Sequence, residues 1–142
     1  MTASSLPSFA EVTVGSSFTA HYQLTPELVR EYCGGIDDAN PWYETTSPFG
    51  KPVAPPTLLF VMHTKFVSER YSLAGRVDTR HEAEFPNPAY VGSTVTVTMT
   101  VLDKPIRDGR EFVIAEYRSV DEHGRLLCRD RNRILLNYQR KE

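Results

Sequence analysis

Apolar and polar positions along this chain change their period several times, and each change marks an element. Over residues 17–23 (Ser-Phe-Thr-Ala-His-Tyr-Gln), Phe18, Ala20 and Tyr22 recur at every second position, which predicts a half-buried strand. Thr25-Pro26-Glu27 then reads as a helix start, with Thr as N-cap, Pro in the first turn and an acid at the positive end of the dipole. Leu28, Val29 and Tyr32 give that helix an apolar face, and Gly34-Gly35 is expected to stop it. Residues 36–56 are rich in Pro, Gly, Asp and Asn and predict a structured loop. Pro55-Pro56-Thr57 opens a second helix, where proline is tolerated because the first N–H groups have no internal partner. Leu58, Leu59, Phe60, Val61, Met62, Phe66 and Val67 surround much of it, the mark of a buried helix.

After Gly75 the period shortens to two. Strands are expected over 76–86, 93–103, 110–120 and 125–137, separated by Pro86-Asn87-Pro88, Asp108-Gly109 and His123-Gly124. Asp108-Gly109 suits a tight hairpin. The fold class is therefore α+β: an antiparallel sheet that buries its apolar face against one long helix. The element order alone admits more than one such fold.

Composition narrows the class further. A chain of 142 residues fits one domain, 1–142, with residues 1–8 expected to be a flexible lead. A net charge of −2 provides no field that would draw nucleic acid or an anionic membrane. Arg129, Arg131 and Arg133 alternate, which in a strand makes one solvated charged face. Residues 1–7 lack the basic and apolar regions of a signal peptide, and no apolar run approaches the roughly 20 residues of a membrane span. Cys33 and Cys128 are far apart in no metal-like spacing, so both read as reduced thiols of a cytoplasmic protein. Of the histidines, His63 falls within the apolar helix and reads as a satisfied core or interface residue, His21 and His81 fall on strands, and His123 on a turn. No convergent cluster suggests a metal, and no cofactor is expected.

The densest pattern is Gly35-Ile36-Asp37-Asp38-Ala39-Asn40-Pro41-Trp42-Tyr43, followed by Phe49-Gly50-Lys51-Pro52-Val53-Ala54-Pro55-Pro56-Thr57. It resembles the G-D-x-N-P-x-H signature and the F-G-x-x-I-A-H-G segment of the MaoC-like hydratases and dehydratases. Val91-Gly92-Ser93-Thr94-Val95 is similar to the V-G-D-x-V pattern of the same family. The resemblance implies a hot-dog fold, a sheet wrapped around a central helix, acting on acyl thioesters. It is nearest to the N-terminal, His-lacking type of MaoC domain, in which Tyr and A-P-P-T replace the His-bearing forms.

Syn addition or elimination of water needs a group for the α-proton, a group for water or the leaving hydroxyl, and donors for an enolate-like oxygen. By resemblance Asp38 is the family's catalytic Asp; by its own chemistry it equally suits an Asx turn that shapes the loop. Tyr43 stands at the position of the catalytic His, and as a phenol titrating near about pH 10 it is a poor base but a serviceable donor. Asn40 and Pro41 shape the loop that holds Asp38. Pro56 occupies the place of the glycine whose N–H would polarise the thioester carbonyl, and it has no N–H; Thr57 and Leu58 offer backbone donors one and two residues on. Candidate catalytic residues are thus Asp38 and Tyr43, and candidate substrate-binding residues are Asn40, Pro56, Thr57 and Leu58.

The expected ligand is an acyl-CoA or acyl-carrier-protein thioester. The expected partner is a second copy or, more in keeping with the missing His, a His-bearing subunit of the same fold. The alternatives are a self-sufficient homodimeric dehydratase or thioesterase using Asp38, and a non-catalytic acyl-thioester-binding module.

Overall fold

The computed structural model describes residues 9–70 and 76–136. The lead over 1–8 and residue 137 of the last expected strand lie outside the described residues. Six antiparallel strands form the sheet: β1 (Ser17–Gln23), β2 (Val77–Glu84), β3 (Thr94–Asp103), β4 (Ile106–Arg107), β5 (Arg110–Val120) and β6 (Leu126–Leu135). Their order across the sheet is β1-β3-β5-β6-β2, with the short β4 pairing β5 off that path. Helix α1 (Pro26–Gly35) follows β1, and helix α2 (Pro56–Arg70) packs on the inner face of the sheet. This is the α+β arrangement expected of a hot-dog domain.

The period-two reading explains why the sheet has one apolar face. On β3, Val95, Val97, Met99 and Val101 are buried while Thr96, Thr98 and Thr100 turn the other way. Full burial of each such apolar side chain contributes roughly 1.5–3 kcal/mol. On the outer face, Gln23 Nε2 donates to Thr94 Oγ1 at 2.8 Å, and His21 Nδ1 meets Thr96 Oγ1 at 3.0 Å. The Asp108-Gly109 hairpin forms as expected, with φ of 51° and 72°. Two successive positive φ values suit the right-handed twist of the strands it joins.

Helix α2 buries Leu58, Leu59, Met62, Phe66 and Val67. It is not enveloped all round: Val61 is 47% exposed. Among the described residues, no helix is long and apolar enough to cross a membrane. Strand β2, at the edge, is exposed along all eight residues. The alternating arginines of β6 lie on the outer face opposite β2, Arg129 beside Glu84 and Arg131 beside Glu82. Arg129 Nε also reaches Glu116 Oε2 at 3.4 Å, so this is a charge-paired, solvated face.

One boundary has a different cause from the one expected. Gly34 and Gly35 are not the left-handed residues that end α1; that position is Asp37, with φ of 55°. The Asp37 N–H donates to Gly34 O at 3.4 Å and the Asp38 N–H to Cys33 O at 2.9 Å, the pair of bonds that closes a Schellman motif. Aspartate tolerates this backbone better than most side chains do, which is why the signal was easy to misassign to the glycines.

Candidate active site

The Schellman closure places Asp38 at the first step of the loop, and the rest of the loop is built from short-range bonds. Asp38 Oδ1 accepts the Asn40 N–H at 3.1 Å, an Asx turn. Asn40 Oδ1 in turn accepts the Trp42 N–H at 3.1 Å and caps a single 3-10 turn over Pro41–Tyr43. The Tyr43 and Glu44 N–H groups close onto Asn40 O and Pro41 O, each at 3.2 Å. Further along, the Val53 N–H donates to Trp42 O and the Ala54 N–H to Ala89 O, stapling the segment before α2 to both sides.

This backbone brings Asp38, Asn40 and Tyr43 together. The Tyr43 phenol lies beside the Asp38 carboxylate. Burial first, and then the negative charge and hydrogen-bonding pull of Asp38, raise its pKa above the ordinary phenol value. Tyr43 therefore keeps its proton and acts as a donor, never as a base at neutral pH. Cys33, on the same side, is likewise raised by burial first and then by Asp38. A thiol held protonated is a poor nucleophile.

Two cavities meet at this point. One of about 330 Å³ is lined by Asp38, Asn40, Tyr43, Cys33 and Arg30. The other, about 340 Å³, is mainly apolar; Tyr43, Pro56, Leu59, Phe49, Phe85 and Leu127 contribute to it. Asn40 and Tyr43 border both, whereas Asp38 borders only the first. The apolar groove thus reaches the start of α2 at Pro56, the position expected to face a thioester.

The remaining candidates divide. The Leu58 N–H is not available to a substrate, because it donates to Pro55 O at 3.0 Å in a tight first turn, and the Leu58 side chain is buried in the core. The expectation that Leu58 offers a donor is corrected on that ground. Thr57 is exposed, and its Oγ1 accepts from the Tyr32 hydroxyl at 2.6 Å, a link from α1 to the start of α2. Tyr32 carried no sequence signal beyond its place on an apolar helix face.

A second polar cluster lies inside the sheet. His63 of α2 is 1% exposed; its Nδ1 meets Asp130 Oδ2 at 3.3 Å and its Nε2 meets Ser119 Oγ at 2.9 Å. Its ring stacks on Tyr117, with centroids 4.5 Å apart and planes 9° from parallel. Asp130 is fully buried and also accepts from His81 Nδ1 at 2.9 Å. Burial, the dominant effect, lowers the His63 pKa despite the adjacent carboxylate, so the ring is neutral. Since a carboxylate only accepts, the His63 Nδ1 carries the proton and Nε2 accepts from the Ser119 hydroxyl. The bond order is that of a Ser-His-Asp triad, yet Ser119 is fully buried and no substrate reaches it. Sequence reading placed His63 in the core correctly but missed its partners. The signal was available in β6: if Arg129, Arg131 and Arg133 face solvent, then Cys128, Asp130 and Asn132 must face the helix. Among the described residues, no group of three or more His, Cys, Asp or Glu side chains is arranged to hold a metal ion.

Comparison with known proteins bears on both the fold and the family. No curated protein sequence matches the chain significantly. The R-hydratase PhaJ1 of Pseudomonas aeruginosa superposes with a TM-score of 0.79 at 18% identity, over 92% of this chain and 86% of that one. A chain of the HadBC (3R-hydroxyacyl-ACP dehydratase) complex of Mycobacterium tuberculosis gives 0.67 at 15%, over 86% and 96%. A chain of the ChsH1-ChsH2 complex of the same organism gives 0.74 at 11%, over 89% and 99%. At such identities the likeness is one of fold. The family model described as "FAS1-like, dehydratase domain region" matches residues 12–130, most of the chain. The protein therefore belongs to the FAS1-like dehydratase-region family and carries the hot-dog fold of the MaoC-like hydratases and dehydratases.

Proposed function

We propose that this chain is a subunit of an acyl-thioester hydratase or dehydratase and supplies the substrate-accommodating half of its site. The observation that carries this reading is the apolar groove at the start of α2, walled by Tyr43, which keeps its proton, where proton transfer needs a base. An acyl chain fits such a groove by burying apolar surface. The thioester of an acyl-CoA or acyl-carrier-protein then lies near Pro56 and Thr57, with Asn40 and Tyr43 as hydrogen-bonding groups on the wall. The site lacks a base at position 43 and an N–H at position 56. Both shortages are met if a His-bearing subunit of the same fold supplies the proton-transfer groups. The outer edge of β2, which pairs with no strand among the described residues, and the exposed Val61 support assembly with another chain.

Asp38 keeps a second reading in play. Its carboxylate borders the cavity that adjoins the groove, so a homodimer that turns over substrate through Asp38, as a dehydratase or a thioesterase, is the runner-up. The test is hydration of a short trans-2-enoyl-CoA, followed by loss of the enoyl absorbance. The purified chain alone is expected to show little turnover, and addition of a His-bearing hot-dog subunit is expected to restore it. Turnover by the pure chain that Asp38→Asn abolishes establishes the runner-up. Saturable binding of the acyl thioester with no turnover in any pairing reduces the protein to a binding module.

A further inference from the structure

We propose that Ser119, His63, Asp130 and His81 form a proton-operated latch that fastens the edge strand β2 and the central helix to the sheet near neutral pH and loosens them on acidification. The latch joins four elements through side chains alone: β5 by Ser119, α2 by His63, β6 by Asp130 and β2 by His81. One buried carboxylate serves both imidazoles. Asp130 Oδ2 lies 3.3 Å from His63 Nδ1 and 2.9 Å from His81 Nδ1, and Oδ1 is 3.1 Å from the latter.

The titratable groups that face His63 are Asp130 from β6, His81 from β2 and Tyr117, stacked on the ring, from β5. His81 faces Asp130 and packs on Phe60 of α2, with ring centroids 5.1 Å apart. On β2 itself, Arg80 pairs with Glu82 on the strand's other face. With His63 neutral, every polar atom of its ring is matched: Nδ1–H to the carboxylate, Nε2 to the Ser119 hydroxyl. A proton taken from solvent onto His63 Nε2 changes this. The Ser119 hydroxyl must then turn to accept from the new N–H, so its own proton loses the ring as acceptor, and a positive charge is added where His63, Ser119 and Asp130 are buried. The neutral form belongs to the closed state and the charged form to an opened one, so acid draws the equilibrium toward opening. Burial lowers the His63 pKa below its unfolded value, and a ring that resists protonation when folded ties stability to pH in this direction.

The consequence reaches the groove through contact. Phe60 packs on both His81 and Phe85, the latter at 5.4 Å between centroids, and Phe85 lines the apolar groove directly after β2. Loosening β2 therefore loosens one wall of the groove. The latch itself is independent of what the groove binds; only its effect on ligand retention rests on the function proposed above.

The decisive experiment is amide hydrogen exchange of residues 77–84 at pH 7.5 and 5.5, corrected for intrinsic rates, in the wild type and in His63→Gln. Protection of the β2 amides paired to β6 is expected to fall by up to about tenfold per pH unit in the wild type. In His63→Gln, which cannot titrate, it is expected to change little. An equal pH response in both proteins overturns the proposal, as does no response in the wild type. Long-range nitrogen-proton NMR of the wild-type histidines guards against a variant that does not fold. The expected result is the Nδ1–H tautomer of His63 at pH 7.5 and a protonation midpoint below about 6.5. An Nε2–H tautomer, or a midpoint at or above that value, overturns the latch whatever the variant does.

Discussion

The loop around Asp38 and the cluster around Asp130 use the same kinds of group, a carboxylate beside aromatic or hydroxyl partners, and hold them in opposite ways. Asp38 is placed by short-range bonds: a backbone Schellman closure behind it, then an Asx turn made by its own side chain and a 3-10 turn capped by Asn40 Oδ1 ahead of it. Asp130 is placed by strand pairing but satisfied only by side chains that arrive from α2 and β2. A loop built from short-range bonds can exchange the side chains that take no part in them without losing its shape. A side-chain-built core cluster cannot lose a member without orphaning the rest. This accounts for a chain that carries Tyr at position 43 and Pro at position 56 in an intact loop.

The sharpest break of that contrast is Asp130→Ala. It leaves buried His63 and the partly exposed His81 without their shared acceptor, and a loss of about 3 kcal/mol or more of unfolding free energy is expected. Denaturant melts read by tryptophan fluorescence check it, and a loss as small as that of a loop variant ends the distinction. The next effect is on pH. His63 has its folded pKa lowered, mainly by burial. Its contribution to stability is then complete above the unfolded value of about 6.5 and is lost as pH falls from there toward the lower folded value. Stability measured at pH 7.5, 6.5 and 5.5 is expected to decline in the wild type along that course. Subtracting the same series for His63→Gln isolates the part that belongs to this ring.

What the sequence carried and what it withheld follow the same division. Strands and hairpin were legible because period-two burial and Asp-Gly are local signals, and β3 and the 108–109 turn adopt them directly. The loop motif was legible as a pattern, but the pattern did not say that Leu58 would spend its N–H on Pro55, a matter of one turn's geometry. The helix end was read from two glycines, while the chain used an aspartate two residues later. The His63–Asp130 pair is separated by 67 residues and the Tyr32–Thr57 pair by 25; neither contact has any local signature. Parity along β6 would have placed Asp130 inward, yet only the tertiary fold supplies the partners that make it tolerable there.

Asp38→Ala and Asp38→Asn sharpen the comparison from the loop side. Removing Oδ1 deletes one side-chain bond from a turn that keeps its backbone bonds, so Ala is expected to cost about 1 kcal/mol. Asn presents the same acceptor to the Asn40 N–H and is expected to be within about 0.5 kcal/mol of the wild type. Asp38→Asn is therefore a clean probe of chemistry: any change in turnover or binding that it brings is not a folding effect. A large loss of stability with Asn shows instead that the carboxylate charge, through Tyr43, supports the loop.

The smallest effect tests whether the backbone alone sets the closure behind Asp38. Asp37 holds the left-handed position that lets Asp38 bond back to Cys33. A non-glycine residue there carries a conformational penalty that glycine does not, of roughly 1 kcal/mol before aspartate's partial tolerance is counted. Asp37→Gly removes that penalty but adds freedom to the unfolded chain, so a net gain of about 0.5 kcal/mol is expected, with the Asp38 environment unchanged. The phenol of Tyr43 reports on that environment, because part of the rise in its pKa comes from Asp38. If Asp37→Gly leaves the tyrosine titration in place while raising stability, the Schellman closure is a backbone device in which the Asp37 side chain has no part. If the titration moves, the Asp37 side chain helps to hold the loop, and the contrast between a loop built from short-range bonds and a side-chain-built core narrows at this residue.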